Sequence, residues 1–191
     1  LEWSDSGVEG GARFLRRLWK TVHGHLQAGE PGTINASNLN QTQKDLRRKT
    51  HETIDKVSGD ITERQQFNTA IAAVMELMNE VNKLADRSNP EGLAVEREAV
   101  EAAILLLAPV TPHICHSLWE ALGHQNVIDQ TWPSVDKDAL VKDSITLVVQ
   151  VNGKVRAKLE APNNAPKDQL ETLALEDENI QKFTEGKTVR K

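Results

Sequence analysis

The sequence has a single cysteine, Cys115, and no hydrophobic run long enough to cross a lipid bilayer. One cysteine excludes an internal disulfide and is typical of proteins that work in a reducing cytoplasm. The most apolar segment, residues 102–110, is far shorter than the roughly 18 apolar residues of a membrane-spanning helix. We therefore expect a soluble, cytoplasmic, globular protein that does not enter a membrane.

The sequence also lacks the motifs by which catalytic and metal sites are usually recognised. Asn152-Gly153-Lys154 has no glycine upstream at the spacing that a phosphate-binding loop requires. His113, Cys115 and His116 cannot all face one metal ion from a single short helix, and no second Cys/His pair accompanies them. We predict no catalytic residue, no cofactor-binding residue and no metal site in this chain.

Positive charge is not in excess, because 23 Lys and Arg residues stand against 28 Asp and Glu residues, for a net charge of −5. This balance argues against a general nucleic-acid binder, although it leaves room for local basic faces. The 191 residues fit one domain or slightly more. Because Leu1-Glu2-Trp3 contains no initiator methionine, we expect a piece cut from a longer protein. Separately, we expect the protein to act as a monomer.

Periodic apolar residues predict an up-and-down helix bundle over residues 1–122. The first helix is predicted over residues 6–27, with a core-facing stripe at spacings of three and four formed by Val8, Ala12, Leu15, Trp19, Val22 and Leu26. Asn40 with Gln43 forms the capping box of a second helix, and Asn68 is the predicted cap of a third. A fourth helix is predicted from Pro90 to residue 107.

The end of the bundle is marked by proline and glycine. Pro109 breaks the fourth helix, and Thr111-Pro112 restarts a short helix that ends at Gly123. Residues 123–143 have weak periodicity and are predicted to form a connector with little apolar surface for docking on the bundle. We therefore expect limited proteolysis to cut between about Gly123 and Asp143 before it cuts within helices.

Residues 144–191 are predicted to form a small, truncated α+β domain. Apolar and polar residues alternate over 145–150, and Asn152-Gly153 predicts a tight hairpin turn, since a type I′ turn needs positive φ at both positions. The return strand is predicted over 154–159, followed by helical segments at 166–175 and 179–184. Residues 187–191 are predicted to begin a further strand. Because the helix bundle makes up most of the chain, the predicted fold class is mainly α, with this small α+β domain following the bundle.

Cations form a row on the first predicted helix, at Arg13, Arg16, Arg17 and Lys20. Their spacing of i, i+3, i+4 and i+7 places them on one stripe, opposite the apolar one. Glu9 can pair with Arg13, whereas the other cations have no acidic residue three or four positions away. Such a row suits phosphate groups, and the alternative interpretation is an ordinary solvated helix face.

Further cations occur on the second helix and on the return strand. Lys44, Arg47, Arg48 and His51 repeat the helical spacing, although Asp45 and Glu52 partly compensate Arg48. Lys154, Arg156 and Lys158 alternate along the strand, so we predict that they share one face and contact consecutive phosphates. The alternative for this row is protection of an edge strand against aggregation.

Several segments carry a resemblance to a known family: Leu1-Glu2-Trp3 with Ser6 to Trp19, residues 66–78, residues 111–119 and the hairpin at 149–158. They resemble the C-terminal, tRNA-binding part of bacterial leucyl-tRNA synthetases, class I enzymes whose anticodon-binding-type domain is a helix bundle. The resemblance covers nearly the whole chain, and the first and last segments are the specific ones.

This resemblance implies a parent enzyme that activates leucine with ATP and Mg²⁺ and transfers it to tRNA(Leu). The catalytic core and the editing insertion would lie outside this chain, which alone should be inactive. The implied partner is tRNA(Leu). With tRNA as the implied partner, the cations of the three basic rows are the predicted RNA-binding residues: Arg13, Arg16, Arg17, Lys20, Lys44, Arg47, Arg48, Lys154, Arg156 and Lys158.

Two alternatives remain open on the sequence alone. The bundle could come from a related isoleucine or valine enzyme, but one cysteine cannot build the zinc module that the isoleucine enzyme's tail resembles. The Asn152-Gly153 hairpin likewise contradicts the coiled coil that the valine enzyme's tail resembles. The other alternative is a non-catalytic helical module that binds protein.

Overall fold

The computed structural model describes residues 5–141, 144–163 and 165–184. Contacts between Cα atoms divide the chain into two compact units, Leu1–Leu140 and Val141–Lys191, and each is described by itself. The strand predicted at 187–191 lies outside the described residues. None of the helices in the described ranges is both long and apolar enough to span a membrane.

The first unit is a helix bundle, as the sequence predicted. Its helices are α1 (Asp5–Gln27), α2 (Gln41–Thr62), α3 (Phe67–Leu84), α4 (Pro90–Leu107) and α5 (Pro112–Ala121). Short 3₁₀ turns follow at Val127–Asp129 and Asp138–Leu140. The core is a single apolar cluster to which all the α-helices of this unit contribute.

Side-chain caps fix the starts of α2 and α4, at Asn40 and Asn89. The capping box is confirmed at α2, where Gln43 N donates to Asn40 Oδ1 over 2.9 Å and Asn40 N donates to Gln43 Oε1 over 3.0 Å. The predicted cap at Asn68 is wrong, because α3 already begins at Phe67 and its cap residue makes no side-chain hydrogen bond. The tight α2–α3 turn explains the shift, since Gln66 N donates back to Asp60 O over 2.8 Å.

The face that α1 buries differs from the predicted one. Phe14, Leu18 and Val22 are buried in the core, whereas Val8, Trp19 and Leu26 are 50%, 42% and 37% exposed. The predicted core stripe is therefore only partly confirmed. Val22 lies in the core and Leu15 packs against it, but the centre of the buried face is displaced from the predicted one by about one residue step, or roughly 100° around the helix. The reason is that the true contact face includes Thr21 and His25, which are polar but have partners, so an apolar pattern could not reveal it.

A buried polar cluster joins the end of α1 to α4. The fully buried carboxylate of Glu96 accepts two hydrogen bonds from Arg87, over 2.9 and 2.7 Å, and lies 3.3 Å from His25 Nδ1. Burial acts to raise the pKa of Glu96, but His25 and Arg87 outweigh it and the pKa is lowered. Arg87 passes over Gly24, whose missing Cβ would lie 3.4 Å from the guanidinium.

The segment predicted as a connector is packed on the bundle as far as Leu140. Val127 is buried in the core, and Trp132 Nε1 donates to Ser58 Oγ over 2.8 Å. Asp136 accepts a hydrogen bond from Arg47 over 2.6 Å. The expectation of little docking surface is therefore wrong for this part, because single anchor residues rather than a periodic apolar stripe hold it.

The second unit contains an antiparallel hairpin of β1 (Ser144–Val151) and β2 (Lys154–Pro162), followed by α6 (Lys167–Glu176) and α7 (Glu178–Thr184). Asn152 and Gly153 have φ values of 52° and 75°, as the predicted type I′ turn requires. The hairpin and both helices thus confirm the predicted α+β character. Among the residues of this unit whose burial the structure describes, Ala157, Ala161 and Ile180 are buried.

Candidate functional site

The basic row on α1 is fully presented to solvent. Arg13, Arg16, Arg17 and Lys20 are all exposed. The predicted pair is present, with Arg13 Nη1 lying 3.7 Å from Glu9 Oε2. Arg16, Arg17 and Lys20 have no ion-pair partner among the residues that the structure describes. This leaves a helix face on which three cations can meet an external anion.

The bundle holds this row in a defined place. Phe14 and Leu18 anchor the same turns of α1 in the core, and Thr21 Oγ1 lies 3.0 Å from both the Arg17 carbonyl oxygen and Asn82 Oδ1 on α3. The guanidinium of Arg17 lies 5.7 Å from the centre of the Phe14 ring. Neighbouring cations three and four positions apart are therefore kept about 5–6 Å apart at their Cβ atoms.

Several cations of the predicted row on α2 are paired with carboxylates of the protein, unlike those on α1. Arg47 is only 13% exposed, and its Nε and Nη2 atoms lie 3.1 Å from Glu98 and 2.6 Å from Asp136. Burial acts to lower the pKa of Arg47, but these two carboxylates outweigh it and raise the pKa. Arg48 pairs with Asp45, and His51 is buried against Glu98. Arg47 and His51 thus join α2 to α4 and to the 124–140 segment, whereas the Arg48–Asp45 pair lies within α2.

A β-bulge breaks the predicted row on the hairpin. Val149 pairs with Ala157 but Gln150 pairs with Val155, so Arg156 has no opposing residue. Lys154 lies opposite Val151 and Lys158 lies opposite Val148, three positions apart on β1, where side chains alternate between the faces. The prediction that Lys154, Arg156 and Lys158 share one face is therefore wrong, because a bulge changes the phase of the strand.

The cations of the hairpin also differ in their surroundings. The guanidinium of Arg156 lies 4.2 Å from the centre of the Phe183 ring on α7. At this distance a cation–π contact ties β2 to the helix. Lys154 and Lys158 are exposed. The Arg156 contact could not be predicted from the sequence, since Phe183 is 27 positions away and a single phenylalanine forms no pattern.

The cysteine and its neighbouring histidines do not converge. Cys115 is fully buried, and burial raises the pKa of its thiol even though a contact with Thr111 acts in the opposite direction. His116 Nε2 instead faces Glu120 Oε1 on the helix surface, 3.5 Å away. Among the described residues, no group of three or more His, Cys, Asp or Glu side chains is placed to hold a metal ion.

Comparisons with known proteins agree with the helix bundle. Residues 43–172 match the family described as the anticodon-binding domain of tRNA ligase. The whole chain aligns with the leucine-tRNA ligase of Cellvibrio japonicus at 65% identity, and the aligned region is 22% of that protein. It aligns with the leucine-tRNA ligase of Saccharophagus degradans also at 65% identity, over 23% of that protein. The chain thus spans little more than a fifth of the length of these relatives.

A solved structure extends the likeness to the fold. The whole chain superposes, with a TM-score of 0.78 and 26% identity, on 24% of a chain in the ternary complex of Agrobacterium radiobacter K84 agnB2 LeuRS with tRNA and LeuAMS. These similarities favour the leucine enzymes over the isoleucine and valine alternatives, and over an unrelated protein-binding module.

Proposed function

Because the chain belongs to the family of anticodon-binding domains of tRNA ligases, we propose that it binds tRNA(Leu) as part of a leucine-tRNA ligase. The similarity over the full chain to leucine-tRNA ligases supports the choice of tRNA. The solved complex named above contains tRNA, which supports an RNA-binding role for this fold.

The observation that carries the proposal is the exposed row of Arg16, Arg17 and Lys20 on α1. These cations lack an intramolecular ion pair within the described ranges, and Phe14, Leu18 and Val22 bury the core face of the same helix. Guanidinium groups bind phosphate oxygens through paired donors, and such contacts position an RNA without reading its bases. Arg13 extends the row towards the start of the helix, where Glu9 partly neutralises it.

The predicted RNA contacts on α2 and on the hairpin differ from those expected from the sequence. Lys154 and Lys158 would touch the RNA as separate points on opposite sheet faces, rather than as a continuous row. We assign Arg47 mainly to holding the bundle together, Arg48 to its pair with Asp45 within α2, and Arg156 to the Phe183 contact. An RNA contact at Lys44 stays a prediction.

Leucine activation belongs, in this proposal, to the larger part of the ligase that the chain does not include. The predicted use of ATP and Mg²⁺ is assigned there, because this sequence has no phosphate-binding loop. The monomeric state and the cytoplasmic location also stay predictions. The role of this chain is then to orient tRNA so that its acceptor end reaches the catalytic core.

The proposal is tested in the full-length ligase by reversing three charges, Arg16→Glu, Arg17→Glu and Lys20→Glu. The affinity for tRNA(Leu) should fall strongly, because phosphate contacts supply much of the binding free energy and the new carboxylates repel the backbone. Leucine-dependent exchange of pyrophosphate into ATP, measured without tRNA, should be unchanged.

The matched control carries the same change in net charge at exposed lysines away from α1, as Lys83→Glu, Lys137→Glu and Lys167→Glu. It separates local contacts from the long-range effect of total charge. Equal losses of affinity in the two triple variants, or no loss in either, would remove the α1 row from the binding site.

A further inference from the structure

Helix α1 has a third face, between its core face and its basic row, that the bundle covers only in part. Along it lie Val8, Ala12, Leu15, Trp19 and Leu26, which we call the apolar stripe of α1. Val8, Trp19 and Leu26 are 50%, 42% and 37% exposed, and Leu15 is only partly buried at the edge of the core. At about 1.5 Å per residue, the stripe is roughly 27 Å long.

The stripe is centred on a tryptophan whose position is constrained. The Trp19 ring packs against the His23 ring one turn away, with centroids 4.7 Å apart and planes tilted by 39°. A large aromatic side chain that is already ordered loses little conformational freedom on binding. Tryptophan is also enriched at the centres of protein interfaces, and a continuous exposed apolar patch marks an interaction site.

We propose that the apolar stripe of α1 docks against the remaining part of the leucine-tRNA ligase polypeptide, an inference that rests on the function proposed above. The chain is only 22% of the Cellvibrio japonicus relative, so its counterpart there is covalently joined to a body several times larger. Covalent linkage gives a high effective concentration, so a modest apolar contact suffices to hold the two parts together.

The arrangement of faces around α1 supports a protein occupant. The stripe lies about 100° from the core face on one side of the helix, and the basic row lies on the other side. Its own members include no lysine or arginine, so it offers no donor of the kind that RNA phosphates need. Docking through the stripe would therefore leave Arg16, Arg17 and Lys20 turned away from the ligase body and open to tRNA.

The test uses hydroxyl-radical oxidation of the full-length ligase without tRNA, with Trp132 as the internal standard. Trp19 and Trp132 are 42% and 39% exposed in this chain, so they should oxidise at similar rates if neither is covered further. We expect Trp19 to oxidise severalfold more slowly than Trp132. The double variant Val8→Glu and Leu26→Glu should raise the Trp19 rate again, because charges in an apolar interface weaken docking.

The control variant is Ile128→Glu, at a 79% exposed apolar residue outside α1, and it should leave the Trp19 rate unchanged. Equal oxidation of Trp19 and Trp132 in a monomeric ligase overturns the proposal. Protection of Trp19 only after tRNA is added would assign the stripe to RNA, and protection that grows with protein concentration alongside a dimer in sedimentation would assign it to a second copy. Either result also overturns the proposal.

Failure of this inference is distinguishable from failure of the proposed function. The α1 charge reversals should leave Trp19 protected if docking is correct, whatever they do to tRNA affinity. Conversely, Val8→Glu with Leu26→Glu should leave the salt dependence of tRNA binding unchanged, since neither residue is a cation that contacts phosphate.

Discussion

His51 Nδ1 accepts a hydrogen bond from the backbone N–H of Asp136, 3.1 Å away and 85 positions later in the sequence. The acceptor role of Nδ1 assigns the ring proton to Nε2, which lies 3.2 Å from Glu98 Oε1 and can donate to it. Arg47 binds the side chain of the same Asp136 and the same Glu98. These hydrogen bonds among His51, Arg47, Glu98 and Asp136, which we call the latch, hold the 124–140 segment on α2 and α4.

Arg47→Met should lower the free energy of unfolding by about 1.5–3 kcal/mol, because hydrogen bonds to two charged partners are lost and both carboxylates keep their desolvation cost. Chemical denaturation measures the change, and limited proteolysis should show earlier cleavage between residues 127 and 140. Arg16→Met is the control, since Arg16 is exposed, and it should change stability by less than about 0.5 kcal/mol. Similar small effects for both variants would show that the latch contributes little.

Two glycine-to-alanine substitutions should have opposite effects. A Cβ at Gly92 would lie 2.0 Å from the Asp86 carbonyl oxygen, so Gly92→Ala must move backbone and should cost about 1–3 kcal/mol or more. At Gly11, inside α1, a Cβ meets no atom within 4 Å, and Gly11→Ala should stabilise by up to about 1 kcal/mol through helix propensity. Thermal unfolding of the two variants checks both signs, and a stabilised Gly92→Ala would contradict the close approach.

Acid should remove the contribution of Asp86 to stability. Hydrogen bonds from Ser88, with further ones from Asn40 and Gln43, outweigh partial burial and lower the pKa of Asp86 to about 2. An unfolded aspartate has a pKa of about 3.9, so the folded state gains from the ionised form above that pH and loses this gain as pH falls towards 2.

The variant Asp86→Asn isolates this effect. It should be less stable than the wild type at neutral pH, because the amide accepts hydrogen bonds at only one of its two polar atoms. The difference in free energy of unfolding should shrink between about pH 4 and pH 2. A difference that stays constant over this range would show that the hydrogen bonds around Asp86 do not depend on its charge.

Features encoded by residues close in sequence were predictable here. The Asn40–Gln43 capping box, Asn89-Pro90 at the start of α4 and the Asn152-Gly153 turn each depend on neighbouring residues. The partners of Arg47 lie 51 and 89 positions away, so a search for acids three or four positions distant could not find them. The basic row of α1 was predictable because its spacing follows from helical periodicity, and its four cations lie far enough from the core face to be exposed despite the shift of that face.

The predicted core stripe of α1 and the predicted cation row of β2 were assigned to the wrong faces for the same reason. A stripe or an alternating row is a property of one isolated element, whereas the buried face depends on what the element packs against. On α1 the neighbours accept Thr21 and His25 through hydrogen bonds and ion pairs, so an apolar stripe remained outside. On β2 a single bulged residue, Arg156, moved Lys154 and Lys158 to different faces.

The salt dependence of tRNA(Leu) binding reports whether Arg16, Arg17 and Lys20 contact RNA phosphates. In the full-length ligase, we would compare the wild type with the variant Arg16→Gln, Arg17→Gln and Lys20→Gln, which removes charge without adding repulsion. Each lost phosphate contact reduces the slope of log K against log salt by roughly 0.7–0.9, so the three together should reduce it by about 2–2.7. A slope equal to that of the wild type would show that these cations do not touch the RNA backbone, and would contradict the account.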